Sequence, residues 1–157
     1  LSSAMKIFMA FVLLLQASVA SGKVTSLTIE NIYEVTEGKS VFVKFFAQWC
    51  ETCQEMSGDF KRVALEWQDH EIGVLAEVDC DGIDSERICD DFQITALPTI
   101  MYGDIENLEF YDGDRTYEAM SAFAKEHISH LSCSIKHLEN CSEEERRLVE
   151  LRNREAS

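Results

Sequence analysis

Two cysteines separated by two residues, Cys50 and Cys53, are the part of this chain best suited to chemistry. Residues 41–46 before them form an apolar run broken only by Lys44, and Trp49 directly precedes Cys50. Val41, Val43 and Phe45 alternate with Phe42, Lys44 and Phe46, which predicts a central strand buried on both faces. Past Cys50 the period changes, and Met56, Phe60, Val63, Ala64 and Trp67 recur at helical spacing. The pair therefore sits where a buried strand hands over to a helix. A helix N-terminus carries unpaired N–H groups and a partial positive charge, both of which favour a thiolate. Cys50 is then the attacking sulfur, and Cys53, one turn further on, can resolve a mixed disulfide. A static disulfide or half of a zinc site would use the same two cysteines. Zinc needs two more ligands at a recognisable spacing, and Cys80 and Cys89, nine residues apart, make no second Cys-x-x-Cys knuckle, so no metal is expected. His70, His127, His130 and His137 read as surface or helix-face residues.

A length of 157 residues accommodates one domain and a tail. The formal net charge of −15 argues against nucleic acid or an anionic membrane as a partner. Residues 5–20 have the form of a secretory signal peptide: Lys6, an apolar stretch over 7–15, and Ser18-Val19-Ala20 as a small-x-small cleavage site. The stretch falls short of the ~20 residues of a membrane span, so none is expected after cleavage. Six cysteines fit an oxidising compartment, and residues 153–157 hold no KDEL-type signal, which leaves endoplasmic reticulum lumen and secretion both open.

The remaining elements must position the pair. Residues 24–27 read as a short edge strand. A helix capped by Thr28, carrying Ile29, Ile32 and Tyr33, ends at Gly38-Lys39. Residues 72–79 read as a second central strand, parallel to the first through a right-handed crossover. A short helix over 85–92 with Ser85 as its cap follows, then a loop over 94–98. Strands 99–102 and 108–111 form a hairpin turning at Gly103-Asp104. Tyr117, Met120, Phe123, Ala124, His127, Ile128 and Leu131 mark a final amphipathic helix. Pro98 is the single proline and stands directly before a strand. An X–Pro bond is where a cis peptide is cheap, and a cis bond would turn the Leu97 backbone outward to meet an extended peptide; an ordinary trans proline would also open a strand.

With these pieces placed, residues 24–131 resemble the thioredoxin superfamily, and within it a single domain of the protein-disulfide-isomerase type. The resemblance rests on FVKFFAQWCETC, VDCDGIDSERICDDFQITALPT and FYDGDRTYEAMSAF, in that order. It implies an α/β thioredoxin fold, a central mixed sheet flanked by helices, with a short helical tail after it. It implies cis Pro98 facing the cysteines, Cys50 as nucleophile, Cys53 as resolving cysteine, and Trp49, Leu97 and Pro98 at the substrate. It also implies that Arg115 tunes the resolving cysteine.

The chain departs from that pattern in several places. The usual Cys-Gly-His-Cys is Cys-Glu-Thr-Cys, so Glu51 and Thr52 stand between the sulfurs. A negative charge there disfavours the thiolate and predicts a more reducing pair. Lys44 occupies the strand position where the family often has a buried carboxylate that moves the resolving cysteine's proton. A neutral buried lysine could accept that proton; alternatively its stem is buried and its ammonium reaches water. Gln48 and Gly58 replace family prolines, changes expected to loosen the site.

Cys80 and Cys89 are expected to face each other in the core, as a structural disulfide or as two buried thiols. Cys133 and Cys141 are expected to clip the tail, residues 132–157, to the last helix. Ser142 and Glu145 have capping-box spacing, and Glu143–Arg147 and Glu150–Arg154 are i,i+4 pairs, so a charged helix is predicted over 142–154. The expected activity is thiol–disulfide exchange on unfolded or disulfide-bonded proteins. It needs a redox partner protein or glutathione but no bound cofactor, and a monomer suffices. A thioredoxin-fold chaperone or adaptor with little redox turnover is the alternative.

Overall fold

The computed structural model describes residues 22–131 and 138–155. The expected signal peptide, Cys133 and His137 lie outside the described residues. The elements, in order, are β1 (Thr25–Ser26), α1 (Ile32–Thr36), β2 (Ser40–Phe46), α2 (Glu51–Glu66), β3 (Gly73–Asp79), α3 (Glu86–Asp91), β4 (Thr99–Asp104), β5 (Asn107–Phe110) and α4 (Tyr117–His127). A 3-10 turn (Leu138–Asn140) and α5 (Glu143–Glu155) follow. The five strands form one mixed sheet in the order β1-β3-β2-β4-β5. β2 is central, parallel to β3 and antiparallel to β4.

The alternation along β2 separates two cores. Val41, Val43 and Phe45 pack with Ile32, Val78 and Ile88 on the α1/α3 face. Phe42 packs with Met56, Phe60, Val63, Met120 and Ile128 on the α2/α4 face. With helices on both sides, the strand carries almost no polar residue, the pattern of a doubly covered sheet. Close packing is absolute at Gly73, where a Cβ would lie 2.6 Å from the Trp67 ring and 2.8 Å from the Ile128 carbonyl.

Four local expectations are corrected. α1 starts at Ile32, because Asn31 Oδ1 accepts the Thr28 N–H (2.8 Å) and closes a turn over 28–31; Ile29 is exposed. Ser85 does not cap α3 through its side chain, since its hydroxyl donates to the Asp79 carbonyl at 2.6 Å. Gly103 lies inside β4, paired with Leu108, and the hairpin turns at Ile105-Glu106, where Asp104 Oδ1 accepts the Glu106 N–H. The last helix ends at His127 rather than Leu131, with Ile128 as its cap. By contrast the capping box is present in the tail: the Ser142 N–H donates to Glu145 Oε2 (2.8 Å) and the Glu145 N–H to Ser142 Oγ (3.3 Å).

Glu66 ties α2 to α4. Its carboxylate accepts from the Tyr117 hydroxyl and from Ser121 Oγ (3.1 Å), with Lys125 Nζ at 3.7 Å. The Tyr117 hydrogen bond above all holds the Glu66 carboxyl below the usual carboxylate range. A lowered folded pKa stabilises above the ordinary value of 4.5 and loses that contribution as pH falls through the folded value. Glu66→Gln is therefore expected to cost about 1 kcal/mol at neutral pH, after discounting for its partial exposure. Urea unfolding of both proteins should show the gap narrowing as the pH is taken below 4.5; a gap independent of pH would exclude this role.

Candidate active site

β2 delivers the chain to Ala47, and α2 begins at Glu51 with Cys50 as its N-cap. Cys50 and Cys53 are joined as a disulfide, the oxidised form of the pair. The N–H of Cys53 points at Cys50 Sγ (3.2 Å), and Thr52 Oγ1 lies 3.5 Å from the same sulfur. Cys50 thus sits where the helix leaves its N–H groups unpaired, and Thr52 adds a hydroxyl that can donate. Both donors favour a thiolate over a thiol. Cys53 is 2 % exposed, packed with Cys50, Ala47, Phe46 and Leu97. Glu51 points into solvent, where water screens its charge from the sulfur. Trp49 is 70 % exposed beside the pair.

The Leu97–Pro98 bond is cis. Leu97 touches the cysteine cluster, and Pro98 is buried. Arg115 Nη2 donates to the Pro98 carbonyl at 3.2 Å, so the arginine expected to act on Cys53 is seen holding the proline loop. Gln48 likewise braces the loop it was expected to loosen. Its Nε2 donates to Asp79 Oδ2 (3.0 Å), and its carbonyl accepts from Gln54 Nε2 (2.7 Å). α2 runs unbroken through Gly58.

Of the two forms expected for Lys44, the ammonium that reaches water is overturned. It is 1 % exposed, and its Nζ meets Glu77 Oε2 at 3.0 Å instead of water. The faces of Phe46 and Phe60 lie 4.6 and 4.9 Å from the same nitrogen. Glu77 was not singled out from the sequence. A signal existed: Lys44 and Glu77 each stand two residues before the end of their strand, and parallel pairing places them side by side. Cys80 and Cys89 are bonded to each other, Cys89 buried and Cys80 half-buried, which anchors the β3–α3 loop to α3. Cys141 is also disulfide-bonded. No group of three or more His, Cys, Asp or Glu among the described residues could hold a metal ion. No helix among them is long and apolar enough to cross a membrane.

A mixed five-stranded sheet covered on both faces, with a Cys-x-x-Cys at the start of the helix after its central strand, defines a thioredoxin-like dithiol domain. The thioredoxin family model matches residues 23–126, and the chain belongs to that family. Among its relatives, the protein disulfide-isomerase-like protein EhSep2 of Emiliania huxleyi is 32% identical over 85% of this chain and 61% of its own length. Protein disulfide-isomerase 1 of Dictyostelium discoideum is 30% identical over 69% of this chain and 31% of its own. The chain thus spans between about a third and three fifths of these curated relatives. Among solved structures, human ERp44 aligns with a TM-score of 0.58 at 26% identity, covering 65% of this chain and 32% of that one. The first thioredoxin domain of mouse protein disulfide-isomerase A4 aligns at 0.56 and 24% identity over 70% and 86%, a likeness of fold. The chain is accordingly a protein-disulfide-isomerase-like thioredoxin domain with one Cys-x-x-Cys pair.

Proposed function

We propose that the protein is a thiol–disulfide oxidoreductase acting on secretory-pathway proteins, in the endoplasmic reticulum lumen or after secretion. The observation that carries this reading is the Cys50 sulfur held at the α2 N-terminus, facing the Cys53 amide and the Thr52 hydroxyl. In the reduced protein, the Cys50 thiolate attacks one sulfur of a substrate disulfide. That bond breaks, one substrate thiolate leaves, and a Cys50–substrate disulfide forms. Cys53, deprotonated, then attacks Cys50 Sγ and releases the second substrate thiol. The substrate gains two electrons and the pair becomes the disulfide. The reverse sequence oxidises a dithiol, and attack followed by rearrangement isomerises with no net redox change. Trp49 and Leu97, beside the buried Pro98, are the surfaces a substrate chain would meet.

The test is the equilibrium of the pair in a series of glutathione buffers. A single two-electron transition is expected at or below about −180 to −210 mV, toward the reducing half of the known range of this fold. Glu51 acts in that direction, and its solvation keeps the effect small. A midpoint near −120 mV would make the protein a strong oxidant and overturn the assignment to Glu51. No reversible transition would favour the chaperone or adaptor reading.

A further inference from the structure

The sheet topology gathers three exposed apolar side chains, Ile29, Trp49 and Ile83, at one end of the molecule. β1, β2 and β3 run parallel toward one edge of the sheet, where antiparallel β4 begins. Trp49 follows β2, Ile83 follows β3, and Ile29 follows β1, its N–H bonded to the Asp84 carbonyl. Trp49 and Ile83 are 70 and 98 % exposed. The sulfur pair and the Leu97–Pro98 loop lie at that same end.

Ile83 is held out by a built turn. The N–H groups of Gly82 and Ser85 bond to the carbonyls of Asp79 and Gly82, and Ser85 Oγ bonds to Asp79. The Cys80–Cys89 disulfide anchors its base, and Gln48–Asp79 ties it to the active-site loop two residues before Cys50. Four residues reach at most about 14 Å, so Ile83 stays within a short peptide's span of that tie. A fully exposed isoleucine on so fixed a turn contributes nothing to the core. Single exposed apolar residues are ordinary, but several around one reactive pair mark a contact surface. The turn is also strongly acidic: between positions 79 and 91 stand six carboxylates and one cation, Arg87, which pairs with Asp91.

We infer that the β3–α3 turn is the specificity edge of the dithiol site, taking extended substrate segments in which aliphatic or aromatic residues and Lys or Arg flank the cysteine. Ile83 and Trp49 cover the apolar residues, and Asp81 and Asp84 attract the cations. This rests on the dithiol reading proposed above.

The test uses the full chain, pre-reduced, and three oxidised substrates in single turnover. Two are peptides with one internal disulfide, with leucine and arginine flanking the cysteines in one and leucine and glutamate in the other. The third is 2-hydroxyethyl disulfide, which is too small to reach the turn. The arginine peptide should be reduced about ten-fold faster than the glutamate peptide at low salt, and the ratio should shrink in high salt. Asp81→Asn with Asp84→Asn should reduce the ratio at low salt. Ile83→Ser should slow both peptides roughly five-fold relative to that variant's own rate with 2-hydroxyethyl disulfide. Peptide rates equal within two-fold, or Ile83→Ser without effect on the peptide-to-small-disulfide ratio, would overturn the inference while leaving the dithiol reading intact. A wild-type protein that leaves 2-hydroxyethyl disulfide unreduced would remove both.

Discussion

Cys50→Ser should abolish disulfide reduction, a loss on the order of 10³-fold or more, whereas Cys53→Ser should stop the reaction at a mixed disulfide with substrate. The asymmetry follows from position. Cys50 is the helix N-cap, and its sulfur faces the Cys53 N–H and the Thr52 hydroxyl. Cys53 lies a turn further into the helix; both sulfurs are buried in this oxidised form, so the N-cap position and its two donors, not exposure, single out Cys50. Serine at position 50 removes the only sulfur placed to attack. Serine at position 53 leaves the attack intact and removes the exit. Non-reducing electrophoresis and intact mass should find a covalent adduct with the Cys53 variant and none with the Cys50 variant. Adduct formation through Cys53 in the Cys50→Ser protein would reverse the assignment of the two roles.

The second large effect concerns the buried ion pair. Lys44→Ala is expected to destabilise the protein by about 3 kcal/mol. Two losses combine: the lysine stem no longer fills its place against Phe46 and Phe60, and Glu77 loses its cation. Glu77 is 21 % exposed, so water relieves part of the second loss. The double variant Lys44→Met, Glu77→Leu should recover most of the stability, because it leaves no charge without a partner. Denaturant unfolding of the wild type, Lys44→Met, Glu77→Leu and the double variant closes this cycle. A double variant as unstable as Lys44→Met would show that the uncompensated Glu77 charge does not set the cost. The pair also bears on proton movement. If Lys44→Met exchanges disulfides at the wild-type rate from about pH 6 to 9, Lys44 accepts no proton in the reaction.

Glu77 gives the buried Lys44 a partner from the neighbouring strand. Family resemblance places a carboxylate at the position of Lys44, yet here the acid is on β3 and the base on β2. A buried cation between two aromatic faces is held by one carboxylate, so the two residues form a unit and substitutions in them are not additive.

Much of the site was legible without coordinates, because it depends on neighbours close in sequence. Alternation over two residues placed Val41, Val43 and Phe45 against one core and Phe42 against the other. Helical spacing after Cys50 put the sulfur at a helix start, and Ser142 with Glu145 announced a cap three residues wide. Local signals failed where a side chain had a nearby competitor: the Asn31 amide closed its own turn ahead of α1, and the Asp104 carboxylate moved the hairpin turn past Gly103.

The sequence by itself determined the order of strands and helices and the place of Cys50 and Cys53 at the start of α2. These follow from periodicity and capping, which act over three or four residues. Tertiary structure alone decided three long-range partners: Glu77 for Lys44, the Pro98 carbonyl for Arg115 and Asp79 for Gln48. Each such choice depends on strand register and loop closure. A shift of one residue in the pairing of β2 with β3 would turn Glu77 to the opposite face and leave Lys44 buried with no counter-charge.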